Sequence, residues 1–223
     1  VRMRLQRIKM EKIQIEYVSA NPTGPLHVGH DRGAAVGSSL ANLMKAAGYD
    51  VTSEYYINDA GNQMHNLALS VNARYLELFG KQVDFPENGY HGADIITTAE
   101  RIKAKYGDQF LKMPEEERLA RFQTLPKEEK LAALKEDLAA FNCNFDVWFS
   151  EQSLHDTHKI EEVCETLKAN GTIFEQDGAL WLRSTKYGDD KDRVVIRDNG
   201  VPTYFAADIA YHQNKFQRGF DRV

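Results

Sequence analysis

The stretch Glu16-Tyr17-Val18-Ser19-Ala20-Asn21-Pro22-Thr23-Gly24-Pro25-Leu26-His27-Val28-Gly29-His30 decides the fold. Ahead of its loop, Ile13, Ile15 and Tyr17 alternate with other residues, the period of a strand over 13–18. Behind it, from about Val28 to Ala47, small and apolar residues (Ala35, Leu40, Leu43, Met44, Ala47) return at helical spacing, and Gly48 fits a C-cap. The turn formers from Ser19 to Pro25 therefore place two imidazoles and Gly29 at the mouth of a helix, just past a strand end. A helix N-terminus offers unpaired N–H groups and a positive dipole end, so anions bind there. His27 and His30 can donate to phosphate oxygens as charge shifts during displacement at phosphorus. Gly29 lets a flat base or a sugar approach the backbone. The loop suits a nucleoside triphosphate, and since no Gly-x-x-x-x-Gly-Lys run exists, the site is not of the P-loop kind. Taken bare, His-x-Gly-His also fits two histidines capping a helix.

Working outward, Val51 to Ile57 reads as a second strand. Strand, loop, helix, strand is a βαβ unit with parallel strands. In such open sheets ligands sit at the carboxyl ends of strands, and the loop at 19–30 occupies that place. Asn58 and Asp59 can cap a helix over 60–79 that ends at Gly80. From there to about residue 170 the chain reads as helical and highly charged, punctuated by Pro86, Pro114 and Pro126. After Gly171 the turn signals Asp177-Gly178 and Asp198-Asn199-Gly200 separate the runs Ala179–Arg183, Val194–Arg197 and Val201–Phe205, a small antiparallel sheet. A last helix is expected near Ala206. The fold class is α/β: part of a Rossmann-like doubly wound parallel sheet with a mixed helical and antiparallel β insertion.

The 223 residues suffice for one core domain carrying a large insertion. A hydrophobic share of 42% with 27% charged residues is that of an ordinary globular protein. The net charge of −5 argues against a surface that tracks nucleic acid throughout, leaving room for a local positive site. No apolar run is long enough to cross a bilayer, and the start is not a secretory signal. Cys143 and Cys164 are expected as isolated thiols in a reducing cytoplasm. His155 and His158, three apart with Glu161 nearby, read as a solvated helix face in preference to a metal pair, so no metal site is expected.

Preceded by Asn21-Pro22-x-Gly24-Pro25-Leu26, the histidine segment resembles the HIGH signature of class I aminoacyl-tRNA synthetases, spelled HVGH here. Within that class the likeness narrows to the arginyl enzymes. Glu16-x-x-Ser19-x-Asn21-Pro22, Asp31-Arg32-Gly33 (many members have Leu-Arg-Ser) and Asn58-Asp59-Ala60-Gly61-Asn62-Gln63 are similar to arginyl-family segments. So is Thr203-Tyr204-Phe205-Ala206-Ala207-Asp208-Ile209-Ala210-Tyr211, far downstream. The resemblance implies that His27 and His30 are catalytic and bind ATP together with Gly29. It implies that Glu16, Ser19, Asn21, His30, Tyr204 and Asp208 bind arginine. Ser19 and Asn21 would hold the α-amino and carboxylate groups, Asp208 the guanidinium, and Tyr204 would close over it. The chemistry is apt, since a guanidinium is a planar fork of donors that suits carboxylates and stacks on aromatic rings. The residues alone also permit Glu16 as a solvent-facing strand residue, Asp208 as a first-turn helix acid and Tyr204 as a core aromatic.

The resemblance further implies ATP with Mg2+, L-arginine and tRNA(Arg) as substrates and partners of a cytoplasmic enzyme, a monomer without membrane contact. A lysine-rich KMSKS loop, an N-terminal extra domain and an anticodon-binding domain are not found in these residues, so the activity is expected of a longer protein. The expected division is 1–12 as a basic linker or chain end, 13–80 as the first half of the nucleotide-binding core, 81–200 as a connective insertion, and 201–223 as a return to the core.

Overall fold

The computed structural model describes residues 9–223, so the basic residues Arg2, Arg4 and Arg7 lie outside the described residues. The elements run β1 (Lys9–Glu16), α1 (Val28–Ala46), β2 (Tyr49–Ile57), α2 (Asn62–Glu77), α3 (Ala93–Tyr106), α4 (Glu115–Ala140) and β3 (Val147–Ser150). They continue with α5 (Gln152–Asp156), α6 (Lys159–Ala169), β4 (Ile173–Gln176), β5 (Ala179–Leu182), β6 (Arg193–Ile196) and α7 (Tyr204–Gln217). The described residues divide into two compact units, one of 9–17, 36–56 and 145–223, the other of 18–35 and 57–144.

In the first unit, the expected βαβ pairing is present: β1 and β2 are parallel, with Ile13 opposite Val51 and Glu16 opposite Glu54. Ile13, Val51 and Ala41 of α1 form a buried cluster with Ile15, Met44 and Tyr49 around it. On the other edge of β1, Ile13 makes a parallel bridge to Arg222. β1 starts at Lys9, inside the stretch read as a basic linker. It ends before the expected Val18, because Val18 and Ser19 turn to φ 66° and 43°. A β-branched residue at positive φ is uncommon and strained, so the strand stops there.

β3 adds the third strand beside β2, within a region the sequence reads as helical. Its four residues are too few for a periodic signal, and tertiary contacts hold them in register. The Ser53 N–H donates to the Asp146 carboxylate at 2.8 Å, and the Asp146 N–H donates to the Ser53 carbonyl at 2.9 Å. Tyr55 stacks on Trp148 with centroids 4.4 Å apart, and Phe145 meets Tyr17 at 4.5 Å. Gly37 of α1 leaves room for Tyr17: a Cβ there would lie 2.2 Å from Tyr17 Cγ. Gly37→Ala is therefore expected to destabilise the protein by about 1–3 kcal/mol through overpacking, read as a lower midpoint in thermal denaturation.

β4, β5 and β6 form the expected antiparallel sheet. Its first hairpin turns through Asp177 and Gly178, both at positive φ (52° and 75°), as tight hairpins of twisted strands require. The run Val201–Phe205 is not a strand beyond one bridge from Pro202 to Ile196. Thr203 ends it: its N–H donates to the Val195 carbonyl at 2.9 Å, and its own carbonyl receives the Ala206 N–H at 3.0 Å, opening α7. Ala206, Ala207 and Ala210 of α7 then pack with Ile160, Ile173 and Val195.

In the second unit, α2, α3 and α4 enclose Leu67, Val71, Tyr75, Ile95, Phe110 and Phe122. Asn58 and Asp59 do not cap α2, which starts at Asn62 after Gly61 at φ 74°. Asp59 is instead buried and paired with Lys127 at 3.3 Å. Pro126 does not break the chain either: α4 runs through it for 26 residues. Proline forfeits one intrahelical bond, but Phe122, Lys130 and Leu134 on either side are buried and hold the helix in place.

Candidate active site

The second unit carries the histidine loop. His27 and His30 stack, with centroids 3.7 Å apart and planes at 23°. The His27 N–H donates to His30 Nδ1 at 3.2 Å, and the Gly29 N–H donates to His27 Nδ1 at 3.1 Å. Each Nδ1 is thus an acceptor, which puts the ring proton of each neutral imidazole on Nε2 and leaves that N–H as a donor. Gly29 has a further role besides backbone access: a Cβ there would lie 3.0 Å from His27 Cε1 and 3.1 Å from its Nδ1. Glycine therefore lets the His27 ring fold back onto the start of α1.

The His30 imidazole is held below its usual pKa, first by burial and then by the neighbouring His27, with Asp31 opposing. A lowered folded pKa means that the neutral ring favours the folded loop. That contribution is present above the ordinary imidazole value of 6.5 and is lost as pH falls through the lowered one. A proton on Nδ1 would oppose the His27 N–H that donates to it. Proton NMR titration of the His30 ring is expected to give a midpoint below 6.5; a midpoint above it would contradict this geometry. Ser19 lies partly buried in the same loop and Asn21 is exposed.

The first unit carries Glu16, Tyr204 and Asp208. α7 begins at Tyr204, so Tyr204, Asp208, Tyr211 and Lys215 follow one another along one helical stripe. With Thr203 as N-cap, no acid falls in the first turn, so Asp208 is not a first-turn helix acid. Tyr204 is 63% exposed, which removes it from the core. It lines a cavity of about 450 Å3 with Asp189, Arg193, Val194, Thr203 and Phe205. Glu16 is not a bare solvent-facing residue: Lys215 Nζ, itself buried, lies 2.7 Å from its Oε2.

Behind this pair sits a buried network. The Tyr211 hydroxyl donates to Glu54 Oε1 at 2.6 Å. Arg218 forks onto the same carboxylate at 2.6 and 2.8 Å. Burial pushes the Glu54 carboxyl up, but the bonds from Arg218 and Tyr211 outweigh it and hold it below its usual range. Asp208 goes the other way. Burial raises its pKa and the charge of Glu16 adds to this, while His212 and Lys215 pull it down. No hydrogen bond or ion pair of the Asp208 carboxylate is found among the described residues. The neighbourhood of the two acids thus already holds Lys215 and His212. Tyr56 borders it: its phenol is held protonated by burial, by a bond to Glu151, and by the charges of Glu151, Asp208 and Glu16.

A family model described as tRNA synthetases class I (R), catalytic domain, matches residues 2–223. The chain belongs to the class I arginyl-tRNA synthetase family. It is 55% identical over 213 residues to the arginine–tRNA ligase of Carboxydothermus hydrogenoformans, covering 96% of this chain and 38% of that protein. The arginine–tRNA ligase of Geobacillus thermodenitrificans is 55% identical over 215 residues, with coverage of 96% and 39%. A Campylobacter jejuni structure assigned as an arginyl-tRNA synthetase superposes with a TM-score of 0.85 at 41% identity, over 95% of this chain and 46% of that one. The Thermus thermophilus arginyl-tRNA synthetase follows with a TM-score of 0.63 at 25% identity, over 92% and 36%. The chain thus spans about two fifths of the length of the curated relatives it matches.

Within this synthetase chain, Glu54, Tyr56, Glu151, Tyr211, Lys215 and Arg218 escaped the sequence reading. The available signal was the 204, 208, 211, 215 spacing, which extends the Tyr204–Asp208 face by two turns. His155 and His158 do not share a helix: α5 ends at Asp156, and His158 turns to φ 54° before α6. Among the described residues no group of three or more His, Cys, Asp or Glu side chains could hold a metal ion. Likewise no described helix is long and apolar enough to cross a membrane.

Proposed function

We propose that this chain supplies the amino-acid and phosphate sites of an arginine–tRNA ligase, whose substrates are L-arginine, ATP and tRNA(Arg). The observation that carries the reading is the pair of acids Glu16 and Asp208 beside the aromatic stripe of α7, in a chain whose family is arginyl. A guanidinium fits two carboxylates better than an ammonium does, because it spreads one charge over a planar fork of donors. Tyr204, four residues before Asp208 on α7, supplies an exposed ring for stacking.

In this reading the arginine carboxylate attacks the α-phosphorus of ATP, the bond to pyrophosphate breaks, and the adenylate passes its acyl group to the terminal ribose of the tRNA. His27 and His30 donate through Nε2–H to oxygens that gain charge as pyrophosphate leaves. Their Nδ1 acceptors, fixed by backbone N–H groups, keep both donors aimed without reorganisation. Ser19 and Asn21 take the α-amino and carboxylate groups. Magnesium arrives on the triphosphate as part of the substrate, and the described residues offer it no cage of their own. The enzyme works as a cytoplasmic monomer. The test is aminoacylation by the full-length protein that carries this chain: charging of tRNA(Arg) with labelled arginine supports the proposal, and charging with another amino acid in its place rejects it.

A further inference from the structure

We infer that Lys215 is a positioning residue of the guanidinium site, fixing the Glu16 carboxylate and barring a second compact ammonium from it. The inference rests on the arginine reading above and deepens it. Lys215 is 3% exposed, although a lysine carries one of the most hydrated and most flexible side chains. Its ammonium lies 2.7 Å from Glu16 Oε2 and 4.2 Å above the Tyr211 ring centroid. Tyr211 is tied to Glu54, and Glu54 is forked by Arg218. The ammonium therefore sits on a seat built from β2 and α7, and the seat transmits its position to the end of β1. If filling space were the task, an apolar side chain would do it without the cost of dehydrating a charge.

The charges around Asp208 explain what the ammonium is for. Glu16 raises the pKa of Asp208, and Lys215 and His212 lower it. Lys215 thus offsets the charge of one of two neighbouring carboxylates. It also changes which cation can enter. A substrate lysine would bring its charge on a single nitrogen against Glu16, next to the ammonium already there, and the two would repel. A guanidinium places a smaller share of charge near Lys215 and reaches Asp208 with a separate N–H.

The experiment measures pyrophosphate exchange by the full-length protein, with tRNA(Arg) present and arginine or lysine as the amino acid, for wild type, Lys215→Met, Lys215→Gln and Lys215→Arg. The charge-removing variants should raise KM for arginine about tenfold or more, narrow the preference for arginine over lysine by a similar factor, and leave KM for ATP unchanged. Lys215→Arg should restore part of the preference. Lys215→Gln keeps a hydrogen-bonding head and carries the test if Lys215→Met does not fold. Arginine KM and preference within twofold of wild type in both would overturn the inference. So would a joint rise of arginine and ATP KM with a lowered melting temperature, the mark of a structural role. A wild-type protein that does not use arginine would overturn the site reading itself, and the role of Lys215 with it.

Discussion

Replacing Asp208 by Asn is expected to make the full-length protein a poor user of arginine while its use of ATP survives. The substitution keeps shape and removes charge. Breaking one side of a close charge pair usually costs ~2–5 kcal/mol, about 30-fold to several thousand-fold in KM or kcat/KM. Asp208 keeps an exposed face, so solvent screening favours the lower half of that range. Steady-state kinetics with each substrate varied separates the outcomes. Equal loss for arginine and ATP points to a damaged fold, and no loss for either removes Asp208 from substrate recognition.

His27→Ala and His30→Ala are expected to slow adenylate formation by ~10²–10³ each, with apparent ATP affinity much less affected. The reason is that both Nε2–H groups are set to meet charge that grows on the way to the transition state. The two effects should also be strongly non-additive. The two rings stack at 3.7 Å, so removing either ring disturbs the other. Single-turnover kinetics of the double variant checks this: loss close to that of one single variant is expected, whereas a product of the two losses would mean independent donors.

Much of the fold was legible because its signals are local. Alternation in Ile13, Ile15 and Tyr17, helical spacing from Val28 to Ala47 and the Asp177-Gly178 turn act within a few residues. What escaped depends on partners far along the chain. β3 is a strand because Asp146 exchanges bonds with Ser53, 93 residues away. Asp59 looks like a cap but is drawn off by Lys127, and Pro126 looks like a break but lies between buried turns. The same division holds in the site. The histidine loop is one contiguous motif, whereas Glu54 matters only because Tyr211 and Arg218 converge on it. The family likeness placed Glu16 in the arginine pocket and Asp208 on the guanidinium, and gave no hint that Glu16 already holds a buried lysine.

The most direct measurement of the central claim is arginine-dependent exchange of labelled pyrophosphate into ATP by the full-length protein, with tRNA(Arg) present. The account predicts exchange that requires arginine, that lysine does not support at equal concentration, and that falls at least a hundredfold in His30→Ala. Exchange supported equally by lysine, or unchanged by His30→Ala, would contradict it.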